Sequence, residues 1–194
     1  MKKIELVYME ILFQCIEKKN RRLTQSWLSK VLEISLSTVS HGLKPLKNMG
    51  AIEVKKRSLV VIDPKKVLYY WASQRNIEKD ILYCTRVDAS VRQIESQMPA
   101  GVVFGAYSAF KLKRKTVPAD YSEVYVYGSQ EEIQERFPAV EKTPNLFVLK
   151  KEKIMERYGA VAPWGLVFVD LWNLREWYAK EFLTDLGDLN GILE

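Results

Sequence analysis

The chain has 194 residues, 47% hydrophobic and 28% charged, a balance that calls for a packed core and excludes wholesale disorder. Its net charge of +6 is unevenly placed: residues 1–75 hold 15 lysines and arginines against 6 acids, whereas residues 76–194 hold 15 against 18. A basic first third is the electrostatic footprint of a segment that faces a polyanion, although a basic membrane-binding face gives the same count.

The sequence contains no apolar run long enough to span a bilayer, and Glu5, Glu10 and Glu17 interrupt the N-terminal stretch where a signal peptide would be apolar. A cytoplasmic protein without a membrane partner is expected. Cys15, Cys84 and the single histidine, His41, are too few for a zinc site of the usual ligand count, so no metal and no cofactor are expected and the cysteines read as reduced, packed thiols. One histidine also leaves little room for histidine-dependent acid–base chemistry.

Apolar residues at helical spacing (Ile4, Val7, Tyr8, Ile11, Leu12, Cys15) predict a first amphipathic helix over 4–16, ending before the basic turn KKNRR. Thr24 is a good N-cap for a second helix with Trp27, Leu28, Val31 and Leu32 on its buried face. A third helix follows, with Leu36 before it, Ser37 as its cap and Val39, Leu43 and Leu46 at i, i+4 and i+7. Its outer face then carries Ser37, Thr38, Ser40, His41, Lys44 and Lys47, and no carboxylate occurs from Leu36 to Asn48. Short donors and acceptors at a helix start, with cations one and two turns later, suit a helix entering a major groove while its flank meets phosphate. The stretch GAIEVKKRSLVVID predicts strands over 51–55 and 58–62 joined by a basic tip, where Lys55, Lys56 and Arg57 would meet backbone phosphates.

The segment WLSKVLEISLSTVSHGLKPLKNMGAIEV resembles a winged helix-turn-helix domain, with STVS opening the recognition helix and L-x-x-L-x-x-x-G-x-I leading to the wing. The resemblance covers residues 1–63 and implies binding of double-stranded DNA by Ser37, Thr38, Ser40, His41, Lys44, Lys47, Lys55, Lys56 and Arg57. Glu33 departs from it, because glycine often stands at that turn.

Beyond the wing, DPKKVLYYWASQRN predicts a linking helix with Val67, Leu68, Trp71 and Ala72 on one stripe. In regulators of this shape such a helix and the first helix often supply a dimer seam, so a homodimer is expected. The remainder alternates: a helix near 89–97, the buried run GVVFGAYSAFKL, a strand EVYVYG, a helix SQEEIQERF, strands NLFVLK and WGLVFVDLW, and a final helix LREWYAKEFLTDL burying Leu174, Trp177, Tyr178 and Phe182. The charge run KLKRK reads as a solvated loop or, with Lys111, Lys113, Arg114 and Lys115 beside a groove, as an extension of a DNA track in a dimer, and YGSQEE as a helix start whose glutamates already satisfy the helix dipole.

The run GVVFGAYSAFKLKRKTVPADYSEVYVYG is similar to the opening of a nucleotidyltransferase-like fold, and with the late V-x-V-D-L segment the whole resembles the AbiEi-type antitoxins and related regulators. Active members of that fold carry two carboxylates two apart on a strand to hold metal ions. Here the pair is Glu123 and Tyr125, and tyrosine cannot replace a carboxylate; Asp170 would be a relic third carboxylate or a helix cap. The expected protein is therefore α+β. It comprises a winged helix-turn-helix domain with linking helix (1–75) and a mixed α/β nucleotidyltransferase-like domain (76–194) without catalytic residues. The second domain would serve dimerisation, sensing or contact with a protein partner or small effector. The alternatives are an antitoxin-type repressor of a toxin operon, an RNA-binding accessory protein or an active nucleotidyltransferase.

Overall fold

The computed structural model describes residues 1–187; residues 188–194 of the expected second domain lie outside the described residues. The fold is α+β with two sheets. Its contacts divide the chain into two compact units. The first holds Met1–Arg75, Pro163–Val169 and the described part of segment 186–194; the second holds Asn76–Ala162 and Asp170–Asp185.

The first unit begins with α1 (Lys3–Ile16), α2 (Gln25–Leu32) and α3 (Leu36–Asn48). The expected spacing places Val7, Ile11 and Leu12 of α1 and Leu28 and Leu32 of α2 in the core, while Trp27 and Val31 are only half-buried. Thr24 caps α2 by accepting the Trp27 N–H at 3.0 Å. Helix α3 starts two residues earlier than its pattern predicts. Ser35, not Ser37, is the cap, because the extended backbone at Ser35 lets its Oγ accept the Thr38 N–H at 3.1 Å. A three-stranded antiparallel sheet follows, ordered β1 (Arg22–Leu23), β3 (Ser58–Val61), β2 (Ile52–Lys55). The hairpin is the expected one. Strand β1 is not legible in the sequence, since two residues carry no alternation.

Helix α4 (Pro64–Gln74) is capped by Asp63 and buries Val67, Leu68, Trp71 and Ala72 as its stripe predicts. The segment WGLVFVDLW is not a strand but a helix, α8 (Trp164–Trp172). Its apolar residues surround the axis, and an all-apolar run of this kind carries no period that separates a buried strand from a buried helix. Glu17 helps start it, accepting the Trp164 N–H at 2.6 Å. A Cβ on Gly165 would lie 2.9 Å from the Leu12 Cβ, closer than side chains pack. Gly165→Ala is therefore expected to lower stability by about 1–3 kcal/mol in urea unfolding, whereas a loss below about 0.3 kcal/mol would show that α1 gives way freely.

In the second unit, strands β4 (Ile81–Thr85), β5 (Val103–Phe104), β6 (Val124–Gly128) and β7 (Leu146–Lys150) are ordered β4-β7-β6-β5. The β6–β7 pair is parallel; the other two are antiparallel. One face packs Val124, Val126, Leu146 and Val148 against Ile94 of α5 (Val91–Ser96) and Ile133 of α7 (Gln130–Arg136). The opposite side of β6 presents Tyr125 and Tyr127, also buried, as strand alternation requires. Strand β4 carries no hydrophobic alternation in its sequence, because the residues it exposes, Leu82 and Cys84, are as apolar as those it turns inward; its pairing with β7 shifts register between Ile81 and Tyr83. It lies at the sheet edge and exposes Cys84, so only Cys15 is the packed thiol expected. Burial pushes the Cys15 pKa up to about 11.

The run GVVFGAYSAFKL divides into β5 and α6 (Ala106–Arg114), so KLKRK is the end of a helix rather than a loop. Lys111 pairs with Glu95, and Arg114 with Asp185 at 2.9 Å. The last helix among the described residues, α9 (Ala179–Gly187), starts later than expected. Leu174 and Trp177 precede it, Trp177 is 76% exposed, and Leu174 is half-buried; Tyr178 and Phe182 are buried as predicted.

Candidate nucleic-acid interface

The turn between α2 and α3 sets the direction of α3. Glu33 adopts the left-handed conformation (φ +53°), a backbone that costs a side-chain-bearing residue about 1 kcal/mol. The strained residue is held on both sides. The Ile34 N–H returns to the Ser29 carbonyl at 3.2 Å, and the Ser29 hydroxyl donates to the Ile34 carbonyl at 2.7 Å. Rotation of α3 about its axis is then fixed from α1: the Tyr8 hydroxyl donates to the Gly42 carbonyl at 3.0 Å, and a Cβ on Gly42 would meet Ile4 Cγ2 at 3.1 Å. Burial and this hydroxyl's neighbours raise the Tyr8 pKa, keeping it a donor.

With Val39, Gly42, Leu43 and Leu46 turned inward, Ser37, Ser40, His41, Lys44 and Lys47 are all exposed. Thr38 is the exception among the expected residues. It is half-buried, and its hydroxyl shares a 2.8 Å hydrogen bond with Ser35 Oγ, so it serves the helix cap. Leu36, expected before the helix, stands instead in its first turn, 51% exposed beside the serines. Pro45 removes one N–H from the ladder of α3, yet the helix continues to Asn48.

The tip of the β2–β3 hairpin exposes Lys55, Lys56 and Arg57. Lys55 makes an ion pair of 3.3 Å with Glu53, but both side chains are more than half exposed and such pairs contribute little. Pairing of β1 with β3 (Arg22 opposite Val60, Leu23 opposite Leu59) brings further cations beside the tip. The turn KKNRR was read as basic, but only this long-range pairing places Arg22 near Arg57; both line one open cleft with Trp27. Neighbouring clefts share Arg57 on one side and Arg22 on the other, and extend to Lys55 and Lys56, and to Lys19 and Arg21. No carboxylate lines any of the three.

The second unit's carboxylates sit among tyrosines. Glu123 precedes β6 rather than lying in it, and accepts hydrogen bonds from Tyr178 and, at 2.8 Å, from Ser122. Tyr125 is buried, stacks on Phe147 at 4.6 Å and points its hydroxyl to Glu176, which also accepts from Tyr107 at 3.2 Å. Burial, then the Glu176 carboxylate, raises the pKa of both Tyr107 and Tyr125; burial, then Glu95, does so for Tyr121. Asp170 is fully buried within α8 and accepts the Tyr127 hydroxyl at 2.5 Å, so it is not on a strand. Ala106, beside Gly105 at the start of α6, has φ +42°. Among the described residues, no three of His, Cys, Asp and Glu group as metal ligands would.

Comparison with protein-family models, with curated proteins and with solved structures finds no match. What the arrangement can do chemically therefore rests on these side chains. The first unit offers hydroxyls, an imidazole and cations on one helical face, next to a hairpin with an exposed basic tip. Every helix among the described residues is too short or too polar to cross a membrane.

Proposed function

We propose that this protein is a DNA-binding transcriptional regulator whose first unit is a winged helix-turn-helix. Helix α3 reads the major groove and the β2–β3 hairpin grips the backbone. The observation that carries this is the division of α3 into an inward apolar side, locked by Tyr8 and Ile4, and an outward side bearing Ser37, Ser40, His41, Lys44 and Lys47 with no acid among them. A carboxylate-free face is what a phosphate-lined groove demands, because a single acid there would be repelled. Leu36 adds an apolar contact suited to a thymine methyl. Thr38 supports the reading helix through its cap instead of touching a base.

In this reading the second unit is a degenerate nucleotidyltransferase-like domain that serves dimerisation, sensing or partner contact and catalyses nothing. The tyrosine at 125 and the tyrosine and serine bonds to Glu123 leave that edge without the paired carboxylates that metal-assisted phosphoryl transfer uses. The protein acts in the cytoplasm as a homodimer. Its seam would use the exposed side of α4, where Tyr69 is 48% exposed, because α1 is buried from Glu5 to Leu12. Two copies would then present two reading helices to successive grooves. Repression of a toxin operon is one role such a regulator fills.

Selection of bound fragments from sheared genomic DNA tests the proposal. The full chain is expected to enrich a limited set of duplexes, and Ser37→Ala and Lys44→Ala each to change which are enriched, by about 1–3 kcal/mol at the base pair read. Enrichment of single-stranded RNA over duplex, or transfer of a labelled nucleotide with Mg²⁺ that Glu123→Ala abolishes, would replace this reading with another.

A further inference from the structure

The cleft beside the wing has a chemistry of its own. It is an open cleft of about 460 Å³, room for a single nucleotide, between β1, the first turn of α2 and the root of the hairpin tip. It is lined by Arg22 from β1 and Arg57 from the hairpin, together with Trp27, Thr24, Ser58 and Asn20. Three of these positions are held by local bonds. Asn20 Oδ1 accepts the Arg22 N–H at 3.0 Å, Thr24 Oγ1 accepts the Trp27 N–H at 3.0 Å, and the β1–β3 ladder sets Arg22 opposite Val60. Trp27 is half-buried in the structure, so part of its side chain remains accessible.

A guanidinium pair recognises phosphate oxygens, often through two parallel N–H···O bonds, and an indole recognises a flat ring by stacking. Neither group alone names a ligand. Together, across a cavity of this size with no carboxylate in its lining, they select a molecule with an anionic end and an aromatic end.

We propose that this cleft binds a nucleoside phosphate, with the phosphate between Arg22 and Arg57 and the base against Trp27. Two sources share that chemistry: a nucleotide unit of the nucleic acid held by α3, and a free nucleotide acting as an effector. The first deepens the DNA-binding reading and rests on it. The second stands without it, and gives the wing a direct means of regulation, because Arg57 cannot serve a free nucleotide in the cleft and a DNA phosphate at once.

The experiment uses the full chain labelled with ¹⁵N, following the indole N–H of Trp27, assigned by its loss in Trp27→Phe. Adenosine 5′-monophosphate, adenosine, inorganic phosphate and a short duplex are titrated separately. The monophosphate is expected to shift the Trp27 signal at concentrations at least about tenfold lower than adenosine or phosphate alone. Arg22→Ala and Arg57→Ala should each weaken it by about tenfold or more, while Arg22→Lys restores part of the loss. Lys44→Ala, on α3, should leave nucleotide binding unchanged. A shift from the monophosphate, reversed by duplex, identifies the effector source; a shift from duplex alone, reduced by Arg22→Ala, identifies the nucleic-acid source. If neither moves Trp27, the cleft proposal is overturned even where duplex still binds through α3. If the monophosphate binds but no duplex does, the regulator reading fails and the cleft proposal stands.

Discussion

Replacing Lys55, Lys56 and Arg57 together by alanine is expected to weaken binding to every duplex by about 10- to 100-fold at low salt, and to flatten the slope of log affinity against log salt by about 2 to 3. The slope is the sharper measure. Each phosphate neutralised by a cation releases about 0.9 counterion, so three lost contacts give a change that no alteration of base readout can imitate. Folding should be little affected, since all three side chains are exposed and the one ion pair among them, Lys55 with Glu53, is solvated. Loss of Lys55 also leaves Glu53 facing the DNA without its partner, which adds repulsion in the same direction. Fluorescence-anisotropy titrations at several salt concentrations measure both quantities. An unchanged slope would remove the hairpin from the backbone and leave α3 to bind alone.

Arg75→Ala is expected to cost about 3–5 kcal/mol of stability, the largest loss among these substitutions, because it strands a carboxylate inside the first unit. The Glu5 side chain is 7% exposed and that of Arg75 0%. One Glu5 oxygen accepts both Arg75 Nη1 at 3.2 Å and Trp71 Nε1 at 3.1 Å, joining the start of α1 to the end of α4. Glu5→Leu with Arg75→Met replaces charge by apolar volume and should recover most of the loss, since a buried pair is rarely superior to well-packed hydrocarbon. Urea unfolding of the three proteins provides the comparison. If Arg75→Ala costs less than about 1 kcal/mol, water reaches the pair and the network is not what holds α4 to α1.

The two expectations draw on different kinds of information. The hairpin cations were readable in advance because KKR falls between two short apolar stretches, and a basic tip follows from that order alone. Glu5 reads as nothing more than an interruption in an apolar segment. Its partners lie 66 and 70 residues away, and no local period marks them.

The same distinction separates the helices that were legible from α8. In α2 to α4 one side meets the core and the other meets water, so hydrophobicity alternates at the helical period and the buried residues name themselves; α1, expected to be amphipathic, is instead buried on every side from Glu5 to Leu12. In α8 Leu166, Val167, Phe168, Val169 and Leu171 are buried in succession, so composition records burial without recording geometry. Its mistaken strand carried Asp170 with it: that carboxylate lies inside a helix and is bonded to Tyr127, 43 residues before it.

At the candidate interface, the sequence by itself determined the outward, acid-free face of α3, through apolar spacing and the absence of acids, and the basic tip, through turn placement. Only the tertiary structure decided that Thr38 is occupied by its cap, that Leu36 is exposed, and that Arg22 joins Arg57 and Trp27 around one cleft. The physical reason is range. Periodicity and capping act within a few residues and leave their mark along the chain, whereas the pairing of a two-residue strand with a hairpin depends on where the chain has already folded back.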